Sequence, residues 1–515
     1  MMFTDTLSAT LQGINALIVH VETDISNGLP VFNIVGSPGT EVREAKDRVK
    51  SALKNNGVYI PPSRITVNLS PGDLRKDTTA FDLPICIGMM TAMEYLPIEV
   101  TEGILFLGEI GLNGEIRPVR GVLPVVMAAA KAGIKECIVP ADNASEGSIV
   151  PGIVVRGAPD LRSVIDHLMD TGEDILPAVH TDTSHMFEGN AAGADDFDDV
   201  RGQERAKRAA VISAAGFHSL LMTGPPGAGK SMIARRIPGI LPPLTLSESL
   251  ELTSIYSVAG KMPKGRALIS SRSFQAPHHT ITGQALVGGG PVPMPGIISL
   301  SHRSVLFLDE LPEFGRDAIE SLRQPLEEKS IRISRVRYNV EYPADFLLIC
   351  AMNPCPCGYF PDRNKCRCTE NEISRYLGKI SGPILDRIDL CAELKSVDIT
   401  DIKSDKRGLS SPEMSDMVAR AREMQNKRYK GTGYRFNADL KADDMDEICR
   451  LGKRESDLME KLYREFDLSA RSYHRILRVS RTIADIEGSE SISEKHLLEA
   501  ASFRPDLDSF RVRKQ

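Results

Sequence analysis

Gly224-Pro-Pro-Gly-Ala-Gly-Lys-Ser231 decides the fold of this 515-residue chain. The spacing is G-x-x-x-x-G-K-[ST], a loop that wraps phosphate. Its context agrees. Ser219-Leu-Leu-Met-Thr223 is an apolar run that predicts a buried strand before it, and Met232-Ile-Ala-Arg-Arg236 predicts the opening of a helix after it. Glycines let backbone N–H groups close around phosphate oxygens, and the helix N-terminus adds positive potential. Gly224, Pro225, Pro226, Gly227, Ala228, Gly229, Lys230 and Ser231 are therefore the candidate nucleotide-binding residues. Lys230 has the reach for the β and γ phosphates, and the Ser231 hydroxyl can hold Mg²⁺.

A second motif follows in order. Val305-Leu-Phe-Leu-Asp-Glu310 predicts an apolar strand ending in two carboxylates. Asp309 is suited to the Mg²⁺ shell, and Glu310 to orienting or activating the attacking water. A glycine turn and an unrelated buried strand would not account for both motifs in this order.

Composition sets the class. With 42% hydrophobic and 26% charged residues, the chain has the make-up of a soluble globular protein. A net charge of −6 gives no global basic signature, so any nucleic-acid contact must come from a local patch. No apolar run approaches the roughly 18 residues of a spanning helix, and the start lacks a signal-peptide pattern. A cytoplasmic protein with no membrane partner is expected. Nine cysteines in so long a chain are then expected to be reduced.

The length suggests roughly three domains. Residues 1–172 alternate short strands (16–22, 31–35, 64–69 and 136–139) with helices at 41–55 and 119–132, an α+β unit. Residues 173–198 predict an acidic flexible linker, with Glu188-Gly-Asn-Ala-Ala-Gly193 followed by Asp195, Asp196 and Asp198 as a solvated hinge. Residues 199–395 hold the nucleotide core, with a helix at 201–210 and a third core strand, Phe346-Leu-Leu-Ile-Cys350. A charged linker at 396–411 leads to a helical module over 412–508, with helices at 414–427, 445–466, 470–486 and 493–502. Ser493 and Glu494 suit a capped last helix.

The core carries longer motifs. Strand 346–350 runs into Ala351-Met352-Asn353, with a polar residue where a first sensor belongs. Gly382-Pro-Ile-Leu-Asp-Arg-Ile-Asp-Leu390 looks like an arginine-finger segment, and Ser469-Ala-Arg-Ser-Tyr-His-Arg475 like a second sensor. Ala276-Pro-His-His-Thr280, Leu286-Val-Gly-Gly-Gly290, Pro295-Gly-Ile-Ile-Ser-Leu-Ser-His302 and Phe307-Leu-Asp-Glu-Leu-Pro-Glu-Phe314 complete the pattern. Over nearly its whole length the chain resembles the ComM/YifB family of magnesium-chelatase-like AAA+ ATPases. The resemblance implies an α/β AAA+ core with a C-terminal helical lid, and a homo-oligomeric ring, usually a hexamer, that hydrolyses ATP with Mg²⁺ between subunits. It implies that Lys230 and Ser231 hold phosphate and Mg²⁺, that Asp309 and Glu310 serve metal and water, and that Asn353 positions that water. Arg387 would reach the neighbour's γ-phosphate, and Arg471, rather than Arg475, would sense it from the lid. A cation set against transition-state charge gives large rate gains. Arg387 has a second possible use, pairing with Asp386 or Asp389 of its own subunit.

Seventy-eight residues separate Lys230 from Asp309, long for a minimal P-loop core. The excess, Phe274 to Ser299, is rich in Gly, Pro and His, and in the resembled clade it is an insert facing the ring channel. Adjacent His278 and His279 have poor geometry for one metal ion and suit a loop or channel role. Further on, Glu328-Lys-Ser-Ile-Arg-Ile-Ser-Arg-Val-Arg-Tyr338 predicts one arm of a β-hairpin before the sensor strand. Alternation puts Ile331, Ile333, Arg335 and Arg337 on one face and Arg332 on the other. Lys329, Arg332, Arg335 and Arg337 are the candidate DNA contacts. A solvated edge strand that uses charge against aggregation fits the same pattern, and the resemblance favours DNA.

Cys355-Pro-Cys357 and Cys366-Arg-Cys368 form C-x-C-x₈-C-x-C. Four thiols within 14 residues suggest a structural Zn²⁺ site, with free or redox-sensitive thiols as the other reading. The remaining cysteines suit packing.

Leu69 to Pro84 and Leu107 to Gly121 look like the Lon-protease-type fold shared with ribosomal protein S5-like domains. A Lon-type protease needs a serine activated by a lysine. The matching segments read Asp77-Thr-Thr-Ala80 and Gly121-Val-Leu123, with neither. A non-catalytic scaffold or DNA-binding domain is expected, with Arg64, Arg75 and Lys76 as candidate contacts. The leading expectation is an ATP-driven hexameric motor on branched or single-stranded DNA, a helicase or branch-migration factor in recombination or natural transformation. The alternative is a chelatase-type motor that remodels a protein partner.

Overall fold

A computed structural model describes residues 3–169, 175–183, 195–335, 338–396 and 408–504. Its centre is a five-stranded parallel sheet. The strand order is Phe274–Gln275, Val305–Leu308, Leu347–Met352, Leu220–Thr223, Leu390–Glu393. Every residue of the Val305, Leu347 and Leu220 strands is buried. Such unbroken apolar runs are what a parallel sheet covered on both faces requires.

One face is covered by the helices Glu204–Gly216 and Lys230–Ile240 and, in the same hydrophobic cluster, by the lid helices Ser411–Arg428 and Ala470–Ile486. Alanines 206, 209, 210, 214 and 215 keep the first of these thin enough to sit between sheet and lid. The other face packs against the cysteine loop and a two-stranded hairpin, Ser330–Arg335 and Tyr338–Pro343. The hairpin follows the predicted alternation. Ile331 and Ile333, opposite Tyr342 and Val340, face the core, while Arg332 opposite Glu341 faces out. Arg337 lies outside the described residues.

The N-terminal domain is a seven-stranded mixed sheet. Its order is Val31–Val35, Arg64–Ser70, Asn15–Ser26, Phe3–Gln12, Ile104–Phe106, Glu136–Pro140, Val154–Ala158. Helices Thr40–Asn55, Asp82–Ala92 and Val122–Lys131 pack on it. Four of these elements were not predicted, Phe3–Gln12, Ile104–Phe106, Val154–Ala158 and Asp82–Ala92, and two of them have a plain physical reason. In Phe3–Gln12 the buried positions include Thr4, Thr6, Ser8 and Thr10, so the usual polar-out signal is inverted. Thr4 and Thr6 survive burial by donating to the carbonyls of Gly88 and Pro84. Asp82–Ala92 is buried at every position, so it has no amphipathic period to read.

The predicted insert also differs. Phe274–Gln275 belongs to the core sheet, and much of the extra length is a helix, Leu246–Ala259. Its capping box, Thr245 with Glu248, was legible as T-x-x-E. The N-terminal domain docks on this helix: the Gly121 N–H donates to the Ser257 carbonyl (3.2 Å). Predicted helix 445–466 is two, Met445–Ile448 and Lys453–Glu465, with Gly452 capping the second. Helix Glu494–Ser502 is capped as expected at Ser493, whose N–H donates to His496 Nδ1 (3.1 Å).

The acidic run is not a solvated hinge. Asp196 accepts N–H bonds from Asp198 and Ser411, and Arg236 of the P-loop helix donates to the Asp196 carbonyl and pairs with Asp199 at 2.9 Å. The run ties the lid to the P-loop helix. Residues 184–194 and 397–407 of the two predicted linkers, and 505–508 of the lid, lie outside the described residues. Among the described residues no helix is long and apolar enough to cross a membrane.

Candidate functional site

The carboxyl ends of the parallel strands bring the three core motifs together, as open α/β sheets do. Thr223 is in register with Met352, and Leu308 with Cys350, so Gly224, Asp309 and Asn353 emerge side by side. The glycines answer two needs. Gly227 and Gly229 take φ of 75° and 92°, left-handed values that a side chain disfavours. At Gly224 a Cβ would lie 2.5 Å from the Leu394 carbonyl oxygen, so close packing excludes one.

Lys230 is nearly buried, and its ammonium donates to the carbonyls of Gly224 (2.7 Å) and Pro225 (3.0 Å) and to Asn353 Oδ1 (3.0 Å). Burial pulls its pKa below the ordinary lysine value, against the opposing carboxylates of Asp309 and Glu310. Ser231 Oγ donates to Asp309 Oδ2 at 2.7 Å. A hydroxyl and a carboxylate in contact form a hard oxygen donor set, which fits Mg²⁺. Glu310 has left-handed backbone (φ 53°, ψ 47°) and an exposed side chain. Non-glycine residues in this region are uncommon and cluster at functional sites.

Two neighbours were not anticipated in these roles. His279 brings Nδ1 within 3.7 Å of Glu310 Oε2, while the His278 ring lies tilted against His279, with centroids 4.1 Å apart. Tyr376 receives the Asn353 N–H, and burial pushes its hydroxyl pKa up. A distant pair of this kind has no local sequence signal.

The four cysteines converge beside the P-loop. All four Sγ atoms lie within 4.8 Å of one another, with Cys355–Cys357, Cys355–Cys366 and Cys357–Cys366 at 3.4, 3.7 and 3.6 Å. Tetrahedral zinc with bonds of about 2.3 Å sets sulfurs about 3.8 Å apart, so the donor set fits. Partial burial opposes ionisation of Cys357, but the N–H groups of Tyr359 and Arg367 outweigh it and bring the thiol down to about 6. Within this loop Gly358 touches Pro226: a Cβ there would lie 2.4 Å from the proline ring.

Arg387 and Arg471 lie elsewhere. They meet at the amino-terminal end of the same sheet, where both guanidinium groups reach Glu327, Arg471 at 3.5 Å. Ser219, at the start of the P-loop strand, donates to the Arg387 carbonyl (2.7 Å). The strand from Ser219 to Gly224 separates this end from the P-loop by about 16 Å. Arg387 pairs with neither Asp386 nor Asp389. Arg475 is buried and donates to the Asp386 carbonyl (2.6 Å), which leaves Arg471 as the exposed arginine of that segment. The helix that carries Arg471 begins at the end of the sheet remote from its own P-loop.

The predicted DNA contacts separate. Lys329 sits at the hairpin base in ion pairs with Asp439 and, at 3.4 Å, Asp345, so it is not on the basic face. Arg332 pairs across the strands with Glu341 at 3.4 Å. Arg335 is exposed near the tip. In the N-terminal domain Lys76 is fully buried, donating to carbonyls of Gly36, Leu69 and Pro71, so it cannot meet DNA. Arg64 begins a strand, Arg64–Ser70, about 20 Å long, and Arg75 lies beyond its far end. The cleft that joins the two Lon-like segments is lined by Asp77, Thr78, Thr79, Val119 and Arg120 and, among the described residues, by no serine or lysine.

Three family models match successive stretches of the chain. Residues 21–143 match "Subunit ChlI of Mg-chelatase", 196–402 match "Magnesium chelatase, subunit ChlI", and 408–504 match "Magnesium chelatase, subunit ChlI C-terminal". The competence protein ComM of Haemophilus influenzae is 41% identical over 500 residues, 96% of both chains. This chain belongs to the ComM/YifB family of magnesium-chelatase-like AAA+ ATPases. YifB of Salmonella typhimurium is 40% identical over 96% of this chain and 95% of its own. Lon protease 2 of Bacillus subtilis is 26% identical over 151 residues, 28% of this chain and 26% of its own. This chain thus joins a Lon-like N-terminal region to the AAA+ core and a C-terminal helical domain.

Proposed function

We propose that this protein is an ATP-driven ring motor that acts on DNA as a helicase or branch-migration factor of recombination or natural transformation. The observation that carries the ring is the placement of the P-loop, Asp309 and Asn353 at one end of the sheet and of Arg387 and Arg471 at the other. A subunit built this way offers a nucleotide seat on one side and arginines on the opposite side, so a homo-oligomer, a hexamer in our reading, brings the halves together. On this reading Gly224 to Ser231 hold ATP, and Ser231 and Asp309 hold Mg²⁺. Glu310 activates water that Asn353 positions, while Arg387 and Arg471 act on the neighbour's nucleotide.

DNA is supported by the exposed Arg335 on a hairpin built out from the core, and by the naming of a full-length relative as a competence protein. The N-terminal domain is read as a non-catalytic scaffold because its cleft lacks a serine–lysine pair. ATP, DNA and reduced thiols point to the cytoplasm as its place of work. The chelatase description of the family models favours one rival, a motor that remodels a protein partner.

The deciding experiment measures ATP turnover with and without forked or four-way-junction DNA, scoring strand movement in the same reaction, with Lys230→Ala as control. Turnover stimulated by DNA and branch movement lost in Lys230→Ala are expected. Turnover indifferent to every DNA, with no strand movement, would establish the rival instead.

Zinc is proposed at Cys355, Cys357, Cys366 and Cys368, where it would brace the loop joining Asn353 to Gly358 against Pro226. About one zinc per subunit is expected in reduced protein by elemental analysis, and Cys355→Ser should lose it and lower the melting temperature. Metal content near zero in wild-type protein would leave four free thiols as the correct reading.

A further inference from the structure

We propose that the cleft between the N-terminal domain and the tip of the hairpin is a second seat for the phosphodiester backbone of DNA, a proposal that rests on the DNA reading above. Arg43, Asp73 and Arg75 line it from the domain, and Arg335, Tyr338 and Asn339 from the hairpin. Of these three arginines Arg75 is paired with Asp77 at 2.6 Å, which leaves Arg43 and Arg335 facing the single lining carboxylate, Asp73. Arg43 and Arg335 are both exposed, and among the described residues neither has an ion-pair partner. Other exposed arginines nearby behave differently: Arg332 pairs with Glu341, and Arg117 with Glu109 and Glu115. Like charges gathered from two domains repel, and an anion between them removes that repulsion.

The walls of the cleft are fixed to each other. Tyr338 donates its hydroxyl to Asp77, and Asp77 also accepts from Arg75 Nε at 2.6 Å. This chain of bonds crosses the domain boundary. It runs through the segment that in a Lon-type protease would hold the nucleophile, so the degenerate cleft anchors the hairpin. A second anchor is Gly13 in the turn between the first two strands. Its φ is 65°, and a Cβ there would lie 3.0 Å from the Glu341 carbonyl oxygen, so the turn lies backbone-to-backbone against the hairpin. Arg43 and Arg335 are therefore held on opposite walls of one cleft. A guanidinium fork matches phosphate oxygens in planar, paired hydrogen bonds. The hydroxyl of Tyr338 and the amide of Asn339 add neutral groups of the kind that also contact backbone phosphates. Because Arg335 belongs to the hairpin, a strand following that hairpin would pass directly between the walls.

The test uses the full-length protein and a salt titration of DNA binding, with Arg43→Glu and Arg335→Glu variants and Arg43→Lys as the conservative partner. Arg43→Glu is expected to weaken binding about tenfold and to lower the log–log salt slope by about one, with DNA-free ATP turnover unchanged. Arg43→Lys should recover most of the affinity. Wild-type affinity and slope in Arg43→Glu, with binding weakened in Arg335→Glu, would overturn the cleft and leave the hairpin reading intact. Wild-type protein that binds no DNA would instead remove the DNA reading itself. Polyglutamate that displaces DNA at equal charge concentration would overturn phosphodiester as the ligand in favour of an acidic polypeptide.

Discussion

Arg387→Ala is expected to lower ATP turnover by about 10³-fold or more while leaving nucleotide binding intact. A cation placed against the γ-phosphate stabilises charge that develops only in the transition state, so its removal acts on turnover and not on affinity. The geometry adds a sharper test. Arg387 lies at the sheet end remote from its own Lys230, held by Glu327 and the Pro383 carbonyl. In a ring it would serve the neighbour. Mixing Arg387→Ala subunits with Lys230→Ala subunits should therefore restore turnover, because some interfaces would pair an intact P-loop with an intact arginine. Two inactive variants that stay inactive at every mixing ratio would show that Arg387 does not act across an interface. The pairing with Glu327 also means that the arginine must change partner on assembly, so Glu327→Gln should shift turnover far less than Arg387→Ala.

Glu310→Gln should lower turnover by about 10²- to 10⁴-fold, the range for loss of a general base, with ATP affinity kept. Its carboxylate is the exposed one of the pair, whereas Asp309 is engaged by Ser231 and by the Glu310 N–H at 3.0 Å. The left-handed backbone at Glu310 turns the chain immediately after the strand and separates the two carboxylates by direction as well as by partner. The amide variant keeps size and loses only basicity, so a trapped, ATP-bound oligomer is expected by size-exclusion chromatography with ATP. Turnover near wild type in Glu310→Gln would mean that another group, with His279 the nearest in view, activates the water. Lys230→Ala differs in kind, since it should lose nucleotide affinity together with turnover.

Much of the candidate nucleotide site was legible because its constraints are local. Left-handed glycines, a lysine and a hydroxyl must follow a strand at set spacing, and apolar runs announce strands buried on both faces. The hairpin was legible for the same reason: Ile331 and Ile333 alternate with Arg332. What could not be read has no local period. Helix Asp82–Ala92 is buried all round, and strand Phe3–Gln12 turns hydroxyls inward to distant carbonyls. The acidic run at Asp195–Asp199 has the composition of a hinge, and only its encounter with Arg236 makes it an anchor.

By itself the sequence determined the P-loop with its two carboxylates, the order of the domains, and the cysteine set. Each of these depends on residues close in the chain, whose spacing is governed by backbone geometry. Only the tertiary structure decided which cations are free. Lys329, Arg332 and Arg335 are alike in the sequence, yet the first two lie against carboxylates brought from Asp345, Asp439 and Glu341, and Lys76 is enclosed by carbonyls. It also decided that Arg387 and Arg471 stand apart from Lys230. A parallel sheet sends all its strands one way, so residues before a strand and residues after it come to lie at opposite ends of the sheet.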